Sequence, residues 1–266
     1  MSTALAPVLV FDSGVGGLSI FADIAAALPS LPLVFACDNA FFPYGTKAED
    51  ELVERVDAVL HALIDRIQPR LIVIACNTAS TVALPRLRSR FALPIVGVVP
   101  AIKPAAKLSR NRVIGLLATP ATVQRPYTDQ LIREFASDCT VIKVGSRELV
   151  QLAEAKLRGT HISVEALQPI LAPFFADPDR SADTIVLGCT HFPLLRQELA
   201  AAARQPVQWV DSGEAIARRV ETLIGRPPEQ PAPATTAWMT ADNAEARALW
   251  PALAQQGFST LQFITI

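Results

Sequence analysis

The chain has 266 residues, of which 51% are hydrophobic, and its 24 basic and 25 acidic residues give a formal net charge of −1. Without a basic stripe or an acidic tail, this balance argues against nucleic acid as a partner. No apolar run reaches the roughly 18 residues that a membrane-spanning helix needs, and the N-terminus lacks the basic and apolar regions of a signal peptide. We therefore expect a cytoplasmic protein with no membrane partner, long enough for two modest α/β domains.

Short apolar runs alternate with amphipathic stretches along almost the whole chain. The predicted strands are residues 8–11, 33–36, 71–75, 95–98, 113–117, 140–144, 184–188 and 207–210. The predicted helices include residues 49–67, 127–136, 146–156, 164–175 and 213–224. Continuous β-branched strands separated by helices are typical of parallel sheets covered on both faces. The sequence therefore predicts an α/β fold with mostly parallel sheets covered by helices.

In the C-terminal part of the chain the alternation of apolar runs and amphipathic stretches is weaker. Residues 226–236 are rich in proline and polar residues, which is typical of a surface loop. Residues 238–266 are expected to form one more helix and an apolar end, with no visible chemistry.

Two segments of the chain are near-copies of each other, and each is an apolar strand that ends in cysteine. The first reads Leu-Ile-Val-Ile-Ala-Cys-Asn-Thr and contains Cys76, and the second reads Thr-Ile-Val-Leu-Gly-Cys-Thr-His and contains Cys189. Each half of the chain also has an earlier strand with a polar end and a later strand that begins after proline. This repeat predicts two similar α/β domains, residues 1–99 with 210–266 and residues 100–209, with the active site in the cleft between them.

Two thiols delivered from matching strand ends suit chemistry that removes a proton from one face of a small molecule and returns it to the other. The remaining cysteines, Cys37 and Cys139, are expected to be small buried apolar residues. The three histidines show no zinc-ligand spacing, so no metal site is expected. In a reducing compartment we expect all four cysteines to be thiols.

A glycine-rich turn follows the first predicted strand in the run Asp12-Ser13-Gly-Val-Gly-Gly. Such a turn allows a close approach of the backbone to a ligand, and the amides of the following helix favour an anion such as a carboxylate. The run also resembles a dinucleotide-binding fingerprint, with Asp38 at the end of the next strand, but its third glycine is missing. A nucleotide-dependent oxidoreductase therefore stays open as an alternative.

Several short polar motifs accompany the two cysteines. Hydroxyl and amide side chains follow them directly, and His191 is placed to assist the thiol of Cys189. Glu154 by itself reads as an ordinary exposed acid on a helix. The candidate binding residues are Asp12, Ser13, Pro43, Tyr44, Gly45, Cys76, Asn77, Thr78, Thr119, Thr122, Cys189, Thr190 and His191.

Taken together, these motifs resemble the cofactor-independent Asp/Glu racemase family. The matching motifs are Asp12-Ser13-Gly14 with Gly16-Gly17, Pro43-Tyr44-Gly45, Cys76-Asn77-Thr78, Gly97-Val98-Val99-Pro100, Thr119–Thr122 and Cys189-Thr190-His191, in the order of the family. The resemblance implies catalytic roles for Cys76 and Cys189 without any cofactor, assisted by Asp12, His191 and Glu154. It also implies a small-molecule substrate, and we expect a homodimer although no residue pattern derives it.

The Cys-Thr-His form of the second motif is more similar to family members that act on glutamate than to those that act on aspartate. The resemblance thus implies interconversion of L- and D-glutamate and supply of D-glutamate for peptidoglycan synthesis. An aspartate racemase on the same scaffold stays open, as does a two-lobed protein that binds a small molecule without turnover.

Overall fold

The computed structural model describes residues 5–229 and 234–266, and the chain divides into two compact units. The first unit comprises Met1–Val98 with Gly213–Ile266, and the second comprises Val99–Ser212. The domain limits drawn from the sequence, at residues 99/100 and 209/210, remain a prediction. The expectations for the N-terminus and for the loop at 226–236 fall partly on residues 1–4 and 230–233, which lie outside the described residues.

Each unit contains one parallel sheet. The strands are β1 (Val8–Asp12), β2 (Leu33–Cys37), β3 (Leu71–Ile74), β4 (Ile95–Gly97), β5 (Val113–Ala118), β6 (Thr140–Gly145), β7 (Thr184–Leu187), β8 (Gln208–Val210), β9 (Thr235–Met239) and β10 (Phe258–Phe263). The order is β10-β9-β2-β1-β3-β4 in the first unit and β6-β5-β7-β8 in the second. All neighbouring strands pair in parallel, which confirms the predicted fold class.

The helices lie between the strands as the sequence predicts. They are α1 (Leu18–Ala27), α2 (Glu49–Ile67), α3 (Asn77–Arg90), α4 (Ile102–Leu108), α5 (Pro120–Val123), α6 (Pro126–Phe135), α7 (Glu148–Leu157), α8 (Val164–Leu171), α9 (Arg196–Ala202), α10 (Gly213–Ile224), α11 (Ala244–Ala248) and α12 (Trp250–Gln255). The prediction of one helix over 164–175 is wrong at its end, where a 3₁₀ helix, Ala172–Phe175, replaces the α-helix. Pro173 has no N–H to continue the α-helical hydrogen bonds.

The core of the first unit shows why these segments adopt these elements. Strands β1 and β3 are buried along their whole length, as expected for strands covered by helices on both faces. Helix α2 has an amphipathic pattern that buries Leu52, Val56, Val59, Leu60 and Leu63. These side chains share a core with residues of β1 and β3 such as Phe11 and Ile74. Each Å² of buried apolar surface contributes about 25 cal/mol to the free energy of folding, so this packing is the main stabilising contribution.

The order β2-β1-β3-β4 in the first unit corresponds to β6-β5-β7-β8 in the second. Each unit therefore has a topological switch point, between β1 and β3 and between β5 and β7. In the first unit the chain passes from β1 to β2 on one side and later returns to β3 on the other side, and β5, β6 and β7 repeat this course in the second unit. The predicted internal repeat of Cys-ended strands therefore corresponds to equivalent strands, β3 and β7. Ligands of open α/β sheets bind beyond the carboxyl ends of the strands at such points.

The expectation for the C-terminal segment is wrong. Residues 238–266 do not form one helix with an apolar end, because β9, α11, α12 and β10 follow one another there. Thr235 and Thr236, assigned to a loop from the sequence, begin β9. The register of Val34 with Thr236 shows that β9 pairs with β2, so the strand depends on a partner about 200 residues away that no local pattern reveals.

Phe258 tests whether the C-terminal strands belong to the core. Its ring is buried and lies 4.9 Å from that of Phe21 and 6.2 Å from that of Phe35. Phe258→Ala should lower the free energy of unfolding by about 3–5 kcal/mol, because a large buried side chain is removed from a packed site. The exposed Gln262 on the same strand provides the control, and Gln262→Ala should change it by less than about 0.5 kcal/mol. Urea denaturation that shows no difference between the two variants would place β10 outside the cooperative core.

Candidate functional site

The strand register sets the position of the cysteine in each unit. In the first unit Phe11 pairs with Ile74, so Ser13, two residues further along, comes level with Cys76. In the second unit Leu117 pairs with Leu187, and the same continuation brings Thr119 level with Cys189. Each cysteine thus comes level with a hydroxyl residue just beyond the carboxyl ends of adjacent strands.

A glycine makes the close packing at the first of these points possible. A Cβ atom on Gly17 would lie 2.8 Å from Cβ of Asp12, 3.1 Å from the ring of Phe35 and 3.3 Å from Cβ of Ala75. Any larger residue would therefore push α1 away from the ends of the strands. This contact explains one glycine of the glycine-rich turn by packing, with no need for a nucleotide.

The predicted residues Asp12, Ser13 and Cys76 lie together in the first unit. Asp12 is fully buried, and its Oδ1 accepts hydrogen bonds from the backbone N–H of Ser13 at 2.6 Å and from Ser13 Oγ at 3.2 Å. Ser13 Oγ lies 3.8 Å from Sγ of Cys76. A hydroxyl group therefore connects a buried carboxylate with a buried thiol.

Helix α3 begins immediately after Cys76. Asn77 and Thr78 occupy its first turn and are both buried. The amides of a helix N-terminus favour negative charge, so a carboxylate is stabilised at this point. The Oδ1 atom of Asn77 is buried and has no hydrogen-bond partner within the described residues. A buried amide oxygen in this state is suited to accept a hydrogen bond from a ligand.

The Pro43-Tyr44-Gly45 motif forms a short 3₁₀ turn, Tyr44–Thr46, between β2 and α2. The ring of Tyr44 is buried against those of Phe11 and Phe41, at centroid distances of 6.5 and 6.2 Å. Its hydroxyl donates a hydrogen bond to Asp38. The phenol hydroxyl is therefore hydrogen-bonded within the protein, whereas Pro43 and Gly45 remain partly accessible.

Three predicted residues of the second unit form a continuous chain of polar groups. Cys189 Sγ lies 3.9 Å from Nδ1 of His191, and Nε2 of His191 lies 2.9 Å from Oε1 of Glu154. All three residues are buried. The reading of Glu154 as an exposed helix acid is therefore wrong, because α7 turns this residue inward while Arg158 donates a hydrogen bond to its Oε2 at 3.2 Å.

The environment of His191 controls its protonation. Burial by itself lowers the pKa of His191, but the hydrogen bonds to Cys189 and Glu154 outweigh it and raise the pKa well above the ordinary value of 6.5. Because the pKa is raised in the folded state, the protonated ring stabilises the fold below the unfolded pKa. This contribution is lost as the pH rises through the folded pKa. The ring is therefore placed to carry a positive charge 3.9 Å from Sγ of Cys189.

The remaining predicted residues of the second unit surround the same strand ends. Thr119 caps α5, with its Oγ1 accepting from the N–H of Thr122 at 3.3 Å and lying 2.9 Å from Oγ1 of Thr122. Thr190, which separates Cys189 from His191 in the sequence, is buried. The second unit therefore offers three hydroxyl groups near its switch point.

The other two cysteines differ from each other. Cys37 is buried at the end of β2, as expected for a small apolar residue. Cys139 is only partly buried, and its thiol donates to Oδ1 of Asp138 at 3.7 Å. The expectation of a buried apolar Cys139 is therefore wrong, because the residue lies on a surface turn before β6.

Sequence reasoning did not recognise the role of two residues. Asp38 entered only as part of a weak nucleotide fingerprint, yet both of its carboxylate oxygens bind protein groups. Arg158 follows Glu154 by one helical turn, a spacing that allows an ion pair. This spacing can be read from the sequence, but the sequence did not show which face of α7 is buried.

Two searches of the described parts of the chain concern other kinds of site. Within residues 5–229 and 234–266, no group of three or more His, Cys, Asp or Glu has an arrangement that could hold a metal ion. Over the same residues, no helix has the length and apolar character needed to cross a membrane.

Two α/β units, each built on a parallel sheet with a buried cysteine at its switch point, define a class of α/β protein with one thiol site in each unit. A model of the Asp/Glu/Hydantoin racemase family matches residues 15–220. The glutamate racemase of Pectobacterium carotovorum subsp. carotovorum strain PC1 is 53% identical over 257 residues, covering 96% of this chain and 90% of that protein. The chain belongs to the Asp/Glu/Hydantoin racemase family.

Two further comparisons agree. The glutamate racemase of Salmonella typhimurium strain LT2 is 52% identical over 261 residues, covering 97% of this chain and 92% of that protein. The crystal structure of Escherichia coli glutamate racemase in complex with L-glutamate and the activator UDP-MurNAc-Ala matches with a TM-score of 0.93 and 49% identity. That match covers 98% of each chain.

The coupling between Glu154 and His191 is measurable by NMR. Glu154→Gln keeps the size of the side chain and an acceptor oxygen but removes the charge, so the pKa of His191 should fall. With only three histidines in the chain, the imidazole signal of His191 can be assigned by comparison with a His191→Asn variant. The exposed Glu148 at the start of the same helix is the control, and Glu148→Gln should leave the titration of His191 unchanged. An unchanged titration in Glu154→Gln would show that Glu154 does not set the pKa.

Proposed function

We propose that this chain is a glutamate racemase that interconverts L- and D-glutamate with Cys76 and Cys189 as its two bases. The observation that carries the proposal is the equivalent position of the two buried cysteines. Cys76 follows β3 in the first sheet, and Cys189 follows the equivalent strand β7 in the second. Relatives that share about half of their residues with this chain over nearly its full length are named glutamate racemase.

The proposed reaction needs one thiolate and one thiol at the same α-carbon. One cysteine, as the thiolate, removes the α-proton, and the other, as the thiol, gives a proton to the opposite face. In the reverse direction the two exchange roles. The negative charge that develops next to the carboxylate requires fixed donors, and the amides at the start of α3 beside Cys76 supply such donors.

The two cysteines receive different assistance in this mechanism. His191 and Glu154 assist Cys189, because the imidazole lies 3.9 Å from Sγ, is held by Glu154 through its other nitrogen, and can exchange a proton with the thiol. Asp12 assists Cys76 through the hydroxyl of Ser13, which lies within 3.2 Å of Asp12 Oδ1 and 3.8 Å of Cys76 Sγ. The first arrangement carries a positive charge near the thiol, and the second carries a buried acceptor.

The proposed substrate contacts come from the polar groups that surround each cysteine. The side chains of Asn77 and Thr190 and the backbone of the Tyr44–Gly45 turn are proposed to hold the side-chain carboxylate of glutamate. The full set of proposed contacts is Asp12, Ser13, Pro43, Tyr44, Gly45, Cys76, Asn77, Thr78, Thr119, Thr122, Cys189, Thr190 and His191. Their support is their position at strand ends or in the turns that follow them, together with the family motifs. All of them except Pro43, Gly45 and Thr119 are also buried.

Three further parts of the proposal rest on the resemblance to the family. The product D-glutamate is proposed to serve peptidoglycan synthesis, which assigns the enzyme to the cytoplasm. The assembly is proposed to be a homodimer, which light scattering at several protein concentrations tests directly. No bound cofactor takes part in the proposed mechanism.

The two-base mechanism predicts opposite behaviour of the two cysteine variants. Cys76→Ala and Cys189→Ala should each slow racemisation by about 10²- to 10⁴-fold, the usual contribution of general acid–base catalysis. In D₂O each variant should still incorporate deuterium slowly at the α-carbon of one enantiomer, and the enantiomer should differ between the two variants. Cys37→Ala, at a buried cysteine on β2, is the control and should retain turnover. Exchange of the same enantiomer in both variants would contradict an assignment of the cysteines to opposite faces.

The substrate assignment predicts a preference for glutamate over aspartate. Aspartate is shorter by one methylene, so its side-chain carboxylate leaves at least one buried donor unpaired, at a cost of about 1–3 kcal/mol. The value of kcat/KM should therefore be about 5- to 150-fold higher for D-glutamate than for D-aspartate. The two substrates are to be compared under identical conditions without added cofactor. Equal values would favour an aspartate racemase on the same scaffold.

A further inference from the structure

Asp38 is a completely buried carboxylate at the carboxyl end of β2, and it is not among the proposed catalytic residues. Its Oδ2 accepts hydrogen bonds from the hydroxyl of Tyr44 and from Nε of Arg55, both at 2.9 Å. Its Oδ1 accepts from the guanidinium of Arg55 at 2.7 Å and from Oγ1 of Thr240 at 2.6 Å. A buried charge is tolerated only with such full satisfaction.

These bonds join three segments that are distant in sequence. Tyr44 belongs to the turn between β2 and α2, Arg55 belongs to α2, and Thr240 follows β9. A second set of bonds reinforces the link, since the side chain of Asn39 donates to the carbonyl of Ala241 and accepts from its N–H, both at 2.9 Å. The segment after β9 thus binds both Asp38, through Thr240, and Asn39, through the backbone of Ala241.

The ring of Phe41 adds a second attachment for the same turn. The ammonium group of Lys47 lies 4.2 Å and the guanidinium carbon of Arg55 lies 5.8 Å from its centroid. The rings of Phe41 and Tyr44 are 6.2 Å apart. Arg55 therefore holds the turn in two ways, by its ion pair with Asp38 and by its position over Phe41.

The phenol of Tyr44 is committed to this cluster. Its burial, followed by the nearby charge of Asp38, raises the pKa of Tyr44 well above its ordinary value, so the hydroxyl stays protonated as a donor. The side chain of Tyr44 therefore points into the protein, and the turn can offer a ligand only its backbone and the partly accessible Pro43 and Gly45.

We infer that Asp38, Arg55 and Thr240 are positioning residues that hold the Tyr44–Gly45 backbone in place to bind a carboxylate of glutamate. This inference rests on the proposed function, and it makes the C-terminal segment after β9 a determinant of substrate affinity. These residues touch no reacting atom, so they act on KM and leave proton transfer unchanged.

Thr240→Val is the sharpest variant, because it keeps the shape of the side chain and removes the hydroxyl that donates to Asp38 and accepts from the N–H of Ala40 at 3.0 Å. KM for both enantiomers should rise about 3- to 10-fold while kcat stays within about twofold, the pattern of lost ground-state binding. Hydrogen exchange of the amides in residues 41–47 should become faster in the same variant. The amide of Ala40 is left out of this comparison, because its own acceptor is the hydroxyl that the substitution removes. Thr236→Val on β9, where the hydroxyl accepts from Oγ1 of Thr260 at 2.9 Å, is the matched control and should change neither quantity.

Arg55 supplies a second, independent test. Arg55→Met should raise KM and speed exchange of the 41–47 amides, and Arg55→Lys should restore both in part, because a cation near Asp38 and Phe41 is kept. The combination of Tyr44→Phe with Thr240→Val should raise KM by less than the product of the single effects, since both donors share one carboxylate.

Faster loop exchange with unchanged KM would show that the cluster is only structural and would overturn the inference. A fall in kcat with unchanged KM would overturn it as well, since it would place the residues in the chemical step. If the wild-type protein does not racemise glutamate, the proposed function fails. The exchange experiment then decides the positioning role by itself, and unchanged exchange in both Thr240→Val and Arg55→Met overturns it.

Discussion

The parallel register between the two inner strands of each sheet is the constraint on which the site depends. In parallel sheets every strand ends at the same edge, and at a switch point the chain leaves adjacent strands toward opposite sides. The loops after β1 and β3 therefore diverge, and Ser13 and Cys76 meet at the point where they part. The same register brings Thr119 level with Cys189 in the second unit. A shift of one residue would turn each cysteine to the other face of its sheet.

Buried carboxylates form the second layer of the site. Asp12, Asp38 and Glu154 are each almost completely buried, and each is bonded to protein donors. Because an unpaired buried charge costs several kcal/mol, these residues fix the geometry of the groups that they contact. Asp12 holds Ser13, Asp38 holds the Tyr44 turn, and Glu154 holds His191. The same plan of thiol, polar neighbour and carboxylate thus occurs in both units with different chemistry.

The sequence was most informative where the pattern is local. The bounds of α2 and α10 were predicted correctly because the amphipathic periods are complete, and the inner strands were recognised from their β-branched runs. The near-copy around Cys76 and Cys189 was enough to predict equivalent strands in two similar sheets. In contrast, β9 and β10 were missed, because Thr235 and its neighbours form a strand only by pairing with β2. Glu154 was misread for a related reason, since the facing direction of α7 is set by its packing.

The sequence by itself determined the α/β class, the repeat and the pair of cysteines, because these depend on side-chain period and on motifs short enough to read directly. Only the tertiary structure decided which polar groups contact one another. The pairing of Glu154 with His191 and the convergence of Arg55, Tyr44 and Thr240 on Asp38 join residues up to 202 positions apart. Such contacts arise when helices pack on a sheet and distant strands pair, and no local pattern encodes them.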